Sequence, residues 1–324
     1  MPRSVSYADR VNRVLDYIGQ HLEGDLSLAH LSAIACFSPF HFHRIFQGVT
    51  GETLNAHVRR VRLERAAALM KASPRRRITD IAIEVGFAGT AEFSRAFRAH
   101  FGRTASSWDR RDALEKSKIG KAPDTLALYP VEELESWKAA EKMRVLTGRF
   151  SPFRYVYVRV FAPYGGTRLV DAYHALIAWL AERGADYRDV IFIGMSLDDP
   201  SVTPAENCRY DMGVAFPHRI RRDCLLGEII RERGRAGAAA LPDAAECAPR
   251  GFSIRDFDTQ PIAAMHCTGD LGHVGRAWQY LYRIWLPSAA HDPADLPAME
   301  LFVRIPEEIG WQTFDLQTCL PVVR

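Results

Sequence analysis

No stretch of the 324 residues reaches the roughly 18 uninterrupted apolar positions of a membrane span, so no membrane partner is expected. The opening MPRSVSYADR leads into amphipathic sequence rather than an apolar run, which reads against a secretion signal. Cysteine is sparse and scattered. Cys36, Cys208, Cys224, Cys247, Cys267 and Cys319 form no CxxC pair and no Cys/His spacing of a zinc site, the pattern of reduced structural thiols in a cytoplasm. GxGxxG, GxxxxGK[ST] and GxSxG are all missing, so neither a phosphate-cradling loop nor a nucleophile elbow is expected. The expectation is therefore no cofactor, no bound metal and no catalytic residues.

What is present divides unevenly. Residues 1–112 hold 17 Lys and Arg against 11 Asp and Glu, whereas the remainder holds 25 against 28. A basic first third on a mildly acidic remainder points to a polyanion that only the first third meets.

Two internal repeats organise the chain. LSLAHLSAIACFSPFHFHRIFQGVTG (26–51) matches RRITDIAIEVGFAGTAEFSRAFRAHFG (76–102). Leu28/Ile78, Leu31/Ile81 and Phe37/Phe87 align at an offset of 50, and Phe42/Phe93, Arg44/Arg95, Phe46/Phe97 and Gly51/Gly102 at 51. Each copy has apolar positions at helical spacing, a short break, and a second amphipathic helix closed by glycine, which is a helix-turn-helix unit. Gly86 supplies the left-handed turn in the second copy, where the first has Cys36. Between them, 53–73 reads as one continuous helix with Thr53 as N-cap and Pro74 past its end, holding the units apart. Two units on one rod suit successive major-groove segments about 34 Å apart.

SPFHFHRIF, GETLNAHVRRVRLERAAALM, ITDIAIEVGF and FSRAFRAHFG resemble the DNA-binding domain of the AraC/XylS transcription regulators over about residues 8–111. The resemblance implies an all-α domain over 1–112 that binds double-stranded promoter DNA, with RNA polymerase as a further partner. It makes Phe40, His43 and Arg44 the base-facing residues of the first recognition helix, and Thr90, Glu92, Ser94 and Arg95 those of the second. His41 and His43, two residues apart, point to different sides of a helix and cannot easily share one metal. Arg44 and Arg95 suit guanine O6 and N7, or a phosphate.

The second repeat fills the C-terminal half. FRYVYVRVFAPYGGTRLVDAYHALIAWLAERG (153–184) and QPIAAMHCTGDLGHVGRAWQYLYRIWLPSA (260–289) each read as an alternating strand, a turn and an amphipathic helix, and each is followed by two strand-like segments. Ala172/Ala277, Tyr173/Trp278 and Leu176/Leu281 align at an offset of 105. The fold expected is α+β, a duplicated β-α-β-β module, in a multi-domain chain. GMSLDDPSVTPAENCRYDMGVAF, LYRIWLPSA and PAMELFVRIP resemble the GyrI-like effector-binding domain over about 143–324. Residues 113–142 read as a linker with a short helix.

Glu300 stands out because AMELF is a strand-like apolar run in which a carboxylate is costly unless something neutralises it. A cationic, aromatic ligand would do so. In the GyrI-like family the position matching Glu300 is a pocket glutamate that meets such ligands. Trp278, Tyr282 and Phe302 join it as effector-binding candidates, with Tyr157 and Tyr173 from the first copy. The function expected is a one-component regulator that senses a small hydrophobic or cationic effector. One alternative is a hydrolase acting on an electrophilic small molecule with Glu300 as general base; another is a ligand-independent binder of a protein partner.

Overall fold

The computed structural model describes residues 7–72, 76–108, 129–150, 152–164, 166–199, 202–217, 240–258, 260–294 and 296–323. Pro74, Arg75, Gly165 of the PYGG turn, Cys224 and the larger part of 113–142 lie outside them. The chain forms two compact units, one helical and one built on a sheet.

The helical unit runs α1 Tyr7–Gln20, α2 Leu28–Ile34, α3 Pro39–Thr50, α4 Leu54–Ala72, α5 Ile78–Glu84 and α6 Thr90–Phe101. Both helix-turn-helix units form. Ser27 and Ser38 cap α2 and α3 by accepting from His30 N and His41 N, Thr53 Oγ1 accepts from Ala56 N at 3.3 Å, and Gly51 and Gly102 close α3 and α6 at φ 78° and 72°.

The structure corrects the part given to α4. It is not a spacer alone but the first helix of a second three-helix unit, the counterpart of α1. The buried positions repeat at an offset of 52: Val11/Leu63, Val14/Ala66, Leu15/Ala67 and Ile18/Met70, with the buried polar pair Asn12/Glu64 between. Leu63, Ala66, Ala67 and Met70 pack against Ile81, Phe93 and Phe97 of α5 and α6. A helix needs one apolar stripe to be held in place, and α4 buries its stripe in the second unit.

The other unit begins with α7 Val131–Ala140 and continues β1 Val145–Arg149, β2 Phe153–Phe161, α8 Arg168–Glu182, β3 Ile191–Ser196, β4 Arg209–Pro217, β5 Ser253–Phe257, β6 Pro261–Gly269, α9 Leu271–Tyr280, β7 Asp292–Pro293, β8 Ala298–Arg304 and β9 Phe314–Val323. Among the described residues, eight strands pair antiparallel in the order β1-β6-β9-β8-β3-β4-β2-β5, and β7 pairs with β9. The duplicated β-α-β-β module is present as β2-α8-β3-β4 and β6-α9-β8-β9. The order reads the same from either end once the modules are exchanged, so a pseudo-twofold passes between β8 and β3. Two strands unexpected from the sequence, β1 and β5, precede the two modules and cross over: β1 pairs with β6 and β5 with β2. The strand preceding each module thus pairs with the first strand of the other.

Side chains alternate across every strand, which gives the sheet two separate apolar layers. Val156, Val160, Tyr210, Met212, Met265, Cys267, Phe302 and Leu316 share one layer with Ala172, Tyr173, Leu176 and Ala277 of the helices. Tyr155, Tyr157, Ile193, Met195, Met299, Leu301 and Cys319 form the other.

Candidate functional sites

In the first recognition helix, Phe42 and Phe46 are fully buried and anchor α3 from below. Phe40 is exposed, Arg44 is exposed with its Cζ 5.8 Å from the Phe40 ring, and His43 is half-buried. His41 is exposed and its Nδ1 lies 3.2 Å from Ser38 Oγ, so it belongs to the cap. In α6 the same geometry returns: Phe93 and Phe97 are buried while Thr90, Glu92, Ser94 and Arg95 are exposed. The seven residues expected to face DNA thus stand on the outward sides of two helices whose inward sides are phenylalanine.

Beneath these helices a polar network ties α4 to both. Arg60 donates to Glu52 from Nη2 at 2.5 Å and to Glu64 from Nη1 at 2.8 Å, and His57 Nδ1 lies 2.7 Å from Glu52 Oε1. Burial alone would raise the Glu52 carboxyl, but hydrogen bonds from His57 and Arg60 outweigh it and bring it down to about 2.

In the sheet unit, Glu300 lies on the helix-bearing face of β8, half-buried, between Met299 and Leu301 of the opposite layer. Both carboxylate oxygens are engaged: Tyr210 Oη donates to Oε2 at 2.6 Å and Trp278 Nε1 donates to Oε1 at 2.8 Å. Burial raises the Glu300 carboxyl above the usual range, and these two donors oppose the rise. The negative field is felt around it. Burial first, and then Glu300, pushes the Cys267 thiol up to about 12, and both raise the Tyr210 phenol. Tyr164 stands 3.4 Å from Ser196 Oγ, and its phenol is raised by burial.

Tyr210 reaches Glu300 by crossing a glycine. Gly194 of β3 pairs with both Glu300 of β8 and Met212 of β4, and a Cβ on it would lie 1.7 Å from Tyr210 Oη. The strand register sets Gly194 directly opposite Glu300. One module therefore carries the carboxylate, and the other a gap that admits the partner phenol. An isolated glycine within IFIGMS was the available sequence signal, since glycine in a strand interior marks a close approach.

The structure brings Trp278 and Phe302 to Glu300's face, and Tyr282, 6.0 Å from Trp278 between ring centroids, stands partly exposed on the π-helical turn Leu281–Trp285 after α9. Such turns occur often at functional sites. Tyr173 is buried on the same face, but its hydroxyl donates to Glu307 and its ring packs on Phe192 and Trp311. Tyr157 is a correction. It belongs to the opposite layer, stacked on Tyr155 at 5.2 Å and buried, so the sheet itself separates it from Glu300. Strand alternation is the reason: Val156, Val158 and Val160 take the helix side of β2, leaving Tyr157 on the other. Tyr210 and Tyr164 are the phenols near Glu300 that the sequence reading missed.

Comparison with known proteins gives two family matches: a helix-turn-helix domain over residues 31–111 and a GyrI-like small molecule binding domain over 149–323. The transcriptional regulator Rob of Salmonella typhimurium is 33% identical over 113 residues, 35% of this chain and 38% of that protein. The right origin-binding protein of Escherichia coli strain K12 is 33% identical over 100 residues, 31% of this chain and 34% of that protein. The regulatory protein SoxS of Salmonella typhimurium is 30% identical over 107 residues, 33% of this chain and 99% of that protein. The matched region thus spans little more than a third of the first two and nearly all of the third.

Proposed function

We propose, for a chain that belongs to the GyrI-like small-molecule-binding family through residues 149–323 and to the AraC-type helix-turn-helix regulators through 31–111, that it is a one-component transcription regulator acting in the cytoplasm. Residues 1–112 bind promoter DNA, 113–142 link, and 143–324 sense a small hydrophobic or cationic effector. Phe40, His43, Arg44, Thr90, Glu92, Ser94 and Arg95 meet the duplex, and RNA polymerase is the further partner. The observation that carries the reading is the repeated helix pair whose phenylalanines are buried and whose exposed side presents Arg44 in one copy and Arg95 in the other. An Arg on the outer side of a helix that fits a major groove supplies bidentate base contact or phosphate contact.

For the effector, Glu300 supplies charge and Trp278, Tyr282 and Phe302 supply ring surface. Tyr210 holds the carboxylate, and Tyr164 stands near it. A cation at Glu300 replaces hydrogen bonds with a full charge partner, and it moves DNA occupancy only by favouring one state of the chain over another. Glu300 as a hydrolytic base draws no support from the comparisons, and the chain is read as a non-enzyme.

The test is selection of bound sequences from random duplexes by the full chain, with and without a panel of hydrophobic cations. Sequence-selective, salt-sensitive binding is expected, and its absence overturns the reading. Glu300→Gln weakens cation binding while leaving affinity for ligand-free DNA nearly unchanged; unaltered cation affinity removes Glu300 from the site. Steady turnover of a panel compound, lost with the same substitution, would put hydrolysis in place of sensing.

A further inference from the structure

Each half of the helical unit is a three-helix bundle, and the two are joined covalently through the short stretch between α3 and α4. A single joint leaves the angle between two bundles soft. Here α4 carries polar ties to the first bundle at two separate points.

The first tie is Arg62. Its Nε donates to the Leu22 carbonyl at 2.9 Å, in the connection that follows α1. Its guanidinium tip lies under the turn of the second helix-turn-helix, where a Cβ on Gly86 would come within 2.7 Å of Nη2 and 2.1 Å of Leu22 O. Gly86 stands at φ 86°, so the turn is left-handed and has no side chain to keep the two groups away. The Leu22 carbonyl and the Arg62 guanidinium therefore both lie against the Gly86 turn, and Arg62 hydrogen-bonds the first bundle at the place where it meets the second recognition turn. The guanidinium is half-buried, and Glu92 at the start of α6 attracts it. The second tie is the Glu52–Arg60–Glu64 chain. Glu52 follows the Gly51 cap of α3, and Glu64 Oε1 lies 3.8 Å from His100 Nε2 in the last turn of α6.

The first repeat shows that the Arg62 contact is not simply a property of the fold. Arg10 occupies the matching place on α1 and donates to the carbonyl of Cys36, the residue at the turn. It hydrogen-bonds its own turn, whereas Arg62 packs beneath its own turn and directs its hydrogen bond to the preceding bundle.

We propose that Arg62, supported by the Arg60 chain, is a positioning residue that sets the phase between α3 and α6, and with it the base-pair spacing of the two half-sites the chain accepts. The inference rests on the DNA-binding reading above. A duplex turns once in 10 to 10.5 base pairs, so one inserted base pair rotates the second half-site by about 34° and shifts it along the axis. Bundles held at a fixed angle cannot follow that rotation. Bundles with a soft joint can.

The experiment starts from duplexes selected by the full-length chain and inserts or deletes one and two base pairs between the protected half-sites. Wild-type affinity is expected to fall at least roughly tenfold for one inserted base pair, on the scale of losing the contacts at one or two bases. Arg62→Met keeps much of the side-chain volume and removes the donor. It is expected to shrink the one-base-pair penalty to within about threefold while lowering affinity for the best spacing. Arg62→Lys, which retains a single donor toward Leu22 O, falls between, and it carries the test if Arg62→Met fails to fold. A folded Arg62→Met or Arg62→Lys chain with the wild-type spacing profile overturns the proposal, and so does a wild-type chain that protects only one half-site. Both outcomes leave DNA binding itself standing. Absence of any sequence-selective binding by wild type refutes the proposed function instead.

Discussion

Gly194→Ala tests how Glu300 is held. The added methyl would lie 1.7 Å from Tyr210 Oη and 2.5 Å from Cζ, and a rigid phenol cannot yield that distance by bending. Tyr210 must leave Glu300. That removes a hydrogen bond to a carboxylate, worth about 1.5–3 kcal/mol, and overpacks the sheet face at a further cost of about 1–3 kcal/mol. The sum, about 2.5–6 kcal/mol, corresponds to a drop of roughly 5–24 °C in the melting transition of a unit this size. Tyr210→Ala alone costs about 3–5 kcal/mol for the lost aromatic packing. The two changes share one mechanism, so the double variant is expected to cost little more than Tyr210→Ala, with a coupling about as large as the cost of Gly194→Ala itself. The assay is thermal or urea unfolding of the full chain, following the sheet unit's transition, across the four proteins of the cycle. Strict additivity would refute the argument, because Gly194 would then be needed for something other than Tyr210's path.

Further outcomes follow from the same geometry. Cys36 is held at φ 53°, a left-handed backbone that costs a non-glycine residue about 1–2 kcal/mol, so Cys36→Gly is expected to be neutral or to stabilise the helical unit by up to about 1 kcal/mol in urea titrations. Glu52 has its carboxyl depressed to about 2, so its contribution is fully present above the ordinary glutamate range and is lost as pH falls from there through about 2. That contribution is on the order of 3 kcal/mol, and Glu52→Gln should flatten the acid limb of the helical unit's stability profile, as unfolding at several pH values would show. For Glu300, raised by burial, binding of a permanent cation should strengthen as pH rises through its titration and release a proton, measurable by calorimetry in buffers of different ionisation enthalpy. Arg44→Ala and Arg95→Ala should each cost about 1–3 kcal/mol with relaxed preference at one position if they read a base, or weaken all duplexes alike and flatten the salt slope if they meet phosphate.

Much of the helical unit was legible because helix signals are local. A serine cap, a phenylalanine every fourth residue and a closing glycine act within a dozen residues, and Ser38, Phe42, Phe46 and Gly51 do what their spacing implies. The outward placement of Arg44 and Arg95 followed from the same periodicity. The place of α4 was also written in the sequence, in the offset of 52 from α1, but it is hidden by substitution: Leu15 and Ala67 share a position and little else.

By itself, the sequence determined the two repeats, the order of their elements and the anomaly of a carboxylate in AMELF, since each depends on residue type at short separation. Only the tertiary structure decided the partners. Strand alternation assigns faces but not neighbours, so the crossing of β1 and β5 and the meeting of Glu300 with Tyr210 from 90 residues earlier came from sheet order and register. Those are set by burying two apolar layers at once, a condition on the whole unit that no single segment carries.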